Sequence, residues 1–261
     1  MIDMSELLLQ QRDDRGVVTL TLNDPARFNA LGDEMLAALH NALAALSTDT
    51  SVRVVVLAAN GRAFCAGHNL KDMAAHPDQA WYQDLFNRCT KVMLAIQKLP
   101  VPVIARVQGM ATAAGCQLVA QCDLAVASTD ASFATSGIQY GLFCATPSVP
   151  LVRNMSIKPA MEMLLTGEFI DAQEAKAQGL VNRVAVAAEL DAELETLVAA
   201  IVRKPRAAVS MGKALVYQQR ELGAEAAYQL ASQCMANNMM DTDAQEGAQA
   251  FAQKRKPQWL V

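Results

Sequence analysis

PVPVIARVQGMATAAGCQLVAQCD, residues 100–123, is the stretch whose reading decides the fold. Residues 101–107 form a short apolar run that breaks at Gln108-Gly109, which predicts a fully buried strand. Ala111-Thr112-Ala113-Ala114-Gly115 then brings only small side chains, and residues 116–121 read as a helix. The backbone thus passes from a buried strand through a bare turn into a helix. Small residues let a ligand approach the main chain closely. The first N–H groups of a helix have no partner within it and stand at the positive end of its dipole. That arrangement suits a developing oxyanion. The same succession also serves close packing alone in α/β proteins. It is not a nucleotide loop, because neither G-x-G-x-x-G nor G-K-[ST] is present.

Working outward, residues 7–11 and 17–22 predict two strands joined at Asp13-Asp14-Arg15-Gly16, a hairpin turn. A loop over 26–31 leads into a helix over 33–47, whose apolar face carries Met35, Leu36, Leu39, Leu43 and Leu46 at helical spacing. Residues 52–58 are a β-branched run, hence another buried strand. NGRAFCAGHNL, residues 60–70, reads as a loop at that strand's end, where binding groups usually sit. His68 in this loop is either a surface or packing residue or a ligand neighbour. Gly67 beside it makes the backbone N–H here a ligand contact whatever the side chain does. Residues 78–99 predict a long helix, 123–128 and 131–135 two strands, and 136–148 an irregular segment bearing Tyr140, Phe143 and Cys144.

Two strands and a helix therefore recur up to about residue 150. The recurrence argues for an α/β spiral of ββα units rather than a doubly wound sheet. Beyond Pro147 the chain reads as almost all helix (147–154, 158–166, 172–178, 187–203, 205–220, 223–239 and 243–254), with one strand at 180–184. A boundary near residue 200 divides a core, 1–200, from a helical region, 201–261. The last helices carry an apolar stripe of Met211, Leu215, Leu222, Tyr228, Leu230, Met235 and Met239, fit for a core or a subunit interface. The tail, FAQKRKPQW at 251–259, is basic and aromatic: a solvated end or a phosphate contact.

Composition narrows the class. The 261 residues are 52% hydrophobic and 18% charged, enough for a substantial core and too apolar for disorder. A net charge of −4 argues against a broad nucleic-acid surface. Six cysteines include no CxxC and no histidine at metal-ligand spacing, so they read as reduced thiols and not a metal site. No apolar run reaches the ~18 residues of a membrane span. The first residues lack a charged-then-apolar leader. These features predict a soluble cytoplasmic protein.

Several pieces in order resemble the enoyl-CoA hydratase/isomerase (crotonase) superfamily over nearly the whole chain. They are Asn29-Ala30-Leu31, FCAGHNL at 64–70, PVIARVQG at 102–109, GCQLVAQCDLAVAS at 115–128, MLLTGEFIDAQEAKAQGLVNRV at 163–184 and EGAQAFAQKRKP at 246–257. Within it, GMATAAGCQL at 109–118 and FATSGIQYGLFCATP at 133–147 resemble the subgroup of enoyl-CoA hydratase domain-containing protein 3. The resemblance implies a crotonase-like ββα spiral with a helical C-terminal trimerisation region, assembled as a homotrimer or a dimer of trimers. It implies an acyl-CoA ligand, a place in fatty acid metabolism and no cofactor besides the coenzyme A thioester itself. It also implies an oxyanion hole made by the backbone N–H groups of His68 and Ala114. Arg27, Ala66, Asn69, Leu70 and Lys71 are implied neighbours of CoA, with Phe251 and Lys254 reaching it from the C-terminal end, of the same or a neighbouring subunit. Tyr140 lines the acyl pocket.

The chain departs from that pattern where hydration chemistry is done. The first glutamate position of the family holds Gln117, and the second holds Gly137. A glutamine amide does not titrate near neutral pH, and glycine offers no side chain. Between residues 108 and 150 the only acids are Asp123 and Asp130, and neither stands at a family catalytic position. General acid–base catalysis is worth about 10²–10⁴-fold, so two-carboxylate hydration is expected to be weak or absent. The enzyme reading is an enoyl-CoA hydratase or isomerase acting through a stabilised thioester enolate. Its competitor is a non-catalytic acyl-CoA binding or scaffolding protein.

Overall fold

Apolar β-branched runs set the first sheet. The structure, a computed structural model, describes residues 7–260. Strands β1 (Leu8–Arg12) and β2 (Val17–Leu22) pair antiparallel, Leu8 opposite Leu22. The turn between them is tied by Asp13, whose Oδ1 accepts from the N–H groups of Arg15 and Val17. Helix α1 (Asp33–Thr48) follows, burying the five apolar residues that the periodicity picks out.

From β3 (Val54–Ala59) onward the chain spirals. Each turn lays one strand in a large sheet and the next in a small one. Strand β3 leads to β4 (Ala63–Cys65), then to helices α2 (Leu70–Ala75) and α3 (Gln79–Lys98). Strand β5 (Val103–Val107) leads to β6 (Met110–Thr112) and α4 (Ala114–Gln121). Strand β7 (Leu124–Ser128) leads to β8 (Ser132–Ala134) and a 3₁₀ turn, Ser136–Tyr140. Helices α5 (Ala145–Asn154) and α6 (Ile157–Thr166), strand β9 (Ile170–Asp171), helix α7 (Ala172–Ala177) and strand β10 (Arg183–Ala185) complete the layers. The large sheet runs β1-β2-β3-β5-β7-β10 and the small one β4-β6-β8-β9. The ββα spiral expected from the sequence is the observed fold.

Strand β3 shows why its sequence does not alternate. Val55 and Leu57 point into the main core, while Val54, Val56 and Ala58 join a second cluster. Leu190 and Val198 of helix α8 (Leu190–Val202) cover that second face. A strand buried on both faces reads as a continuous apolar run.

Four local readings need correction. The segment 60–70 is not all loop, since it contains the buried strand β4 and reaches the start of α2. The small-residue turn after Val107 likewise contains β6. The segment 136–148 is a 3₁₀ turn followed by α5. The strand expected at 180–184 spans Arg183–Ala185, with Leu180 and Val181 buried ahead of it.

The apolar stripe of the last helices is not core. Helices α9 (Arg206–Gln219) and α10 (Ala224–Met239) bury no residue, and α11 (Thr242–Ala252) buries only Ala250. Leu222, Tyr228, Met235, Met239 and Phe251 are exposed. What attaches α9 is polar: Lys213 Nζ donates to the carbonyls of Ile96 and Val101, at 2.9 and 3.0 Å, and to Asp123 at 2.6 Å. Tyr217 donates its hydroxyl to the other Asp123 oxygen, and Val103 N–H donates to the first. Asp123 is therefore a docking residue of the helical region.

Candidate active site

The small sheet aligns two loop ends. Strands β4 and β6 run parallel with Cys65 opposite Ala111. Three residues beyond each stand His68 and Ala114. Parallel strands in register deliver their following residues to the same side, so these two backbone N–H groups come from neighbouring strand ends. Among the described residues neither donates to a protein acceptor.

Close backbone contact holds the pair together. A Cβ on Gly67 would stand 2.9 Å from Ala114 N, 3.0 Å from Ala113 Cβ and 3.1 Å from Thr112 O. Gly67 also has φ +85, a conformation that side-chain-bearing residues rarely adopt. A Cβ on Gly115 would fall against the Cys65 carbonyl. Both glycines are required by the approach of the two strand ends.

The turn before α4 stores strain. Ala113 sits at φ 51, ψ −121, in a region natural to glycine. Its N–H donates to Ala134 O at 3.0 Å, tying the turn to β8. Of the two alanines before Gly115, Ala113 takes the strained conformation, and Ala114 opens the helix normally.

The loop carrying His68 is anchored from upstream. Ala66 N–H donates to Phe28 O at 3.0 Å, and Leu31 N–H donates to Gly67 O at 2.8 Å. His68 Nδ1 lies 2.9 Å from Leu31 O, and since a carbonyl only accepts, Nδ1 carries the proton. The 28–31 segment is itself set by Asn29, fully buried at φ 55. Its amide donates to Asn60 O and Ala63 O and accepts from Asp24 N–H. Asn29 was legible only as part of a motif. Its structural role in the site needed the fold.

Both His68 and Ala114 line a cavity of about 170 Å³. Ala66, Leu70, Gly137, Tyr140, Phe143 and Cys144 line it as well. Tyr140 stands at its mouth, 73% exposed. Burial pushes the Cys144 thiol up from its ordinary range, with a smaller opposing pull from the Gly137 N–H. This keeps it a thiol rather than a nucleophile.

The two glutamate positions do not share that cavity. Gly137 lines it, in crowded surroundings: an added Cβ would stand 2.7 Å from Leu142 O and 2.9 Å from Cys144 Sγ. Gln117 is buried and lines a separate cavity of about 300 Å³, with Gln97, Tyr217, Arg153 and Arg220. Its Oε1 has no hydrogen-bond partner among the described residues. Thr146 borders both cavities. Arg27 and Asn69 line a third groove of about 330 Å³, together with Asp72, His76 and Trp81. There the His76 and Trp81 rings stack at 4.8 Å. Lys71 is the second residue of α2, its N–H capped by the Asn69 side chain. Phe251 and Lys254 line none of these three cavities.

The ββα spiral is the fold of the enoyl-CoA hydratase structures that this chain resembles. The chain belongs to the enoyl-CoA hydratase/isomerase family, whose model matches residues 12–260. It is 44% identical to human enoyl-CoA hydratase domain-containing protein 3, over 94% of this chain and 80% of that protein. The crystal structure of the human protein superposes with a TM-score of 0.93, covering 97% of this chain and 100% of that one. An enoyl-CoA hydratase structure from Mycobacterium smegmatis matches with a TM-score of 0.96 and 63% identity, over 98% and 99% of the two chains. The 2,3-dehydroadipyl-CoA hydratase of Escherichia coli is 35% identical over 97% of this chain and 98% of its own length.

These relatives correct one expectation. The cytoplasmic assignment is overturned, because the human and Xenopus laevis relatives are named as mitochondrial proteins. Compartment is read by receptors from targeting segments, so the composition of a folded domain does not carry it.

Proposed function

We propose that this hydratase-like protein binds an acyl-CoA thioester with its carbonyl oxygen between the N–H groups of His68 and Ala114. The observation that carries the reading is the convergence of these two unpaired donors, from aligned strand ends, on one largely apolar cavity. Two fixed donors stabilise charge developing on a thioester oxygen, by about 10²–10³-fold per donor. Ala66 and Leu70 flank the pantetheine path, and Tyr140 meets the acyl chain at the cavity mouth.

Arg27, Asn69 and Lys71 serve the nucleotide end. Asp24, Asp33, Glu34 and Asp72 crowd the same groove, although Arg88 pairs with Asp33. CoA phosphates need more positive charge than one chain supplies there. A neighbouring copy offering Phe251 and Lys254 answers that need. The exposed apolar faces of α10 and α11 support a homotrimer or a dimer of trimers, with the helical region 201–261 as its interface.

Gln117 and Gly137 make water addition by two carboxylates weak or absent. Titration calorimetry with a non-hydrolysable thioether analogue of crotonyl-CoA tests the binding. Micromolar affinity that falls in Gly67→Ala supports it, and no binding by the wild type refutes it. Binding without any turnover of crotonyl-CoA favours the second reading, a non-catalytic acyl-CoA carrier or scaffold, for which the loss of both carboxylates is the supporting observation.

A further inference from the structure

Beside the acyl cavity lies the one that holds Gln117. Three helices line the first with one turn and the second with the next: α3 at Phe86 and then Thr90, α4 at Ala114 and then Gln117, α5 at Thr146 and then Val149. Residues three or four apart share a helix face. The two cavities thus lie end to end between the same three helices, and Thr146 borders both. Their chemistry differs. No aspartate, glutamate, lysine or arginine lines the acyl cavity. The second carries Arg153 and Arg220 against one acid, Glu221, which is mostly exposed and 3.7 Å from Arg153 Nε.

Helix α5 sets how far the positive charge stands from the acyl cavity. Arg153 Nη1 donates to Val149 O at 3.1 Å, so the guanidinium folds back along its own helix to the turn that follows Thr146. One turn is about 5.4 Å. Arg220, the residue that ends α9, donates from Nη2 to Arg153 O, which brings a second guanidinium to the same helix. A guanidinium has five N–H donors and no acceptor. Arg153 Nη2 and Arg220 Nε and Nη1 donate to nothing among the described residues. Gln117, on the wall between, adds no charge. A glutamate there would repel an anion, and the amide does not.

Resting on the acyl-CoA reading above, we propose that the second cavity takes the far end of the acyl chain and that this end is a carboxylate. The substrate class is then the CoA thioester of a dicarboxylic acid. The methylenes of the chain fill the uncharged cavity and pass Thr146, and the terminal carboxylate meets Arg153 and Arg220. Guanidinium and carboxylate are planar groups that match through two parallel hydrogen bonds, stronger than those between neutral groups. Without those cations the site would prefer a terminal methyl, because a carboxylate costs far more to take from water. The sign of the preference therefore reports the arginines.

Calorimetry with pairs of equal chain length tests this: hexanoyl-CoA beside adipoyl-CoA, octanoyl-CoA beside suberoyl-CoA, decanoyl-CoA beside sebacoyl-CoA. Each pair differs only in a terminal methyl or carboxylate. At the length that reaches the arginines, the ω-carboxyl member is expected to bind about 10–100-fold more tightly than its partner, the range of a hydrogen bond to a charged group. Arg153→Gln and Arg220→Gln, each checked for fold by circular dichroism, are expected to bring that ratio toward one. An equal or weaker ω-carboxyl member at all three lengths overturns the proposal and, where the methyl-ended thioesters bind, leaves the ligand reading intact. A preference that survives in the double variant Arg153→Gln/Arg220→Gln also overturns it. Free adipate that binds through these arginines, while no pair shows a preference, assigns them to a separate carboxylate and overturns it too. Failure of every thioester to bind the wild type refutes the ligand reading, and this proposal with it.

Discussion

Gly115→Ala separates fold stability from the integrity of the donor pair. Gly115 is the second residue of α4, and its φ is not in the left-handed region, so alanine carries no dihedral cost. Helix propensity alone predicts a gain of about 0.8–1.0 kcal/mol. The added methyl, however, would sit 2.6 Å from the Cys65 carbonyl carbon and 2.9 Å from Cys65 Cβ, and closer still to the carbonyl oxygen. An ordinary contact is ~3.5–4 Å, so β4 and α4 must part by roughly an ångström. The obstacle is backbone and cannot swing aside. Overpacking of this kind costs about 1–3 kcal/mol. Taking its upper half and subtracting the helix gain leaves a net loss of about 1–2 kcal/mol.

The larger effect is on the site. Cys65 lies three residues before His68, so moving its carbonyl pulls the His68 N–H away from Ala114. Loss of one donor costs about 10²–10³-fold in oxyanion stabilisation. Urea unfolding gives the first quantity, and infrared spectroscopy of a bound ¹³C-carbonyl thioester gives the second. The wild-type carbonyl band is expected at lower frequency than in water, and the variant's band near its water position. Gly212→Ala, inside α9 where a Cβ meets nothing within 4 Å, is the control: it should show only the helix gain of about 0.8–1.0 kcal/mol and leave the carbonyl band unchanged. A Gly115→Ala protein with wild-type stability and a wild-type carbonyl band would falsify the account of how these strand ends make the hole.

Other expectations follow from single contacts. Ala113→Gly relieves an L-residue at φ 51, a strain of about 1–2 kcal/mol, against about 0.5–1 kcal/mol of added unfolded-state entropy. Its urea midpoint should rise slightly, and a fall would show that the alanine is unstrained. Gly137→Glu places its Cβ against Leu142 O and Cys144 Sγ, so it should lose about 1–3 kcal/mol and fail to restore crotonyl-CoA hydration, with or without Gln117→Glu. Hydration restored at wild-type stability contradicts this. The tail is clipped by Glu246, which accepts from Arg255 and from Gln258 N–H at 2.9 Å; the Arg255 bond chiefly holds its carboxyl at about 2. A depressed carboxyl contributes fully above its unfolded value of 4.5 and loses that contribution as pH falls through about 2. Trp259, half-buried and packed near Gly247, should therefore keep its emission maximum at pH 5 in a Trp81→Phe background and shift to the red as pH approaches 2. In Glu246→Gln the emission should already be shifted at pH 7, and an unshifted variant would show that Glu246 does not hold the tail.

The long elements were legible because their patterns are long. The helix over 33–47 and the strands at 17–22 and 52–58 announce themselves through enough residues for a period or a β-branched run to stand out. The quoted stretch carried the strand–turn–helix, and the motifs after it carried the family and the positions 68, 114, 117 and 137. Three-residue strands hold no period, so Ala63–Cys65 and Met110–Thr112 were read as loop and turn. Only their parallel pairing, Cys65 opposite Ala111, brings His68 and Ala114 side by side. The last helices show the opposite limit. An apolar stripe is the same whether it faces a core or solvent; here Leu222, Tyr228, Met235 and Met239 face out, and Met211, Leu215 and Leu230 are half-buried.

What the sequence by itself determined is the spiral and the identity of the residues at the family positions, since both depend on local pattern and order along the chain. What the tertiary structure alone decided is which atoms meet. Gln117 lines a different cavity from Gly137, any Cβ at 137 would stand against the Leu142 carbonyl, and the His68 ring commits one nitrogen to Leu31 while leaving the other unpaired among the described residues. Each depends on groups far apart in the chain, His68 and Leu31 by 37 positions, and distance through space is not written in local sequence.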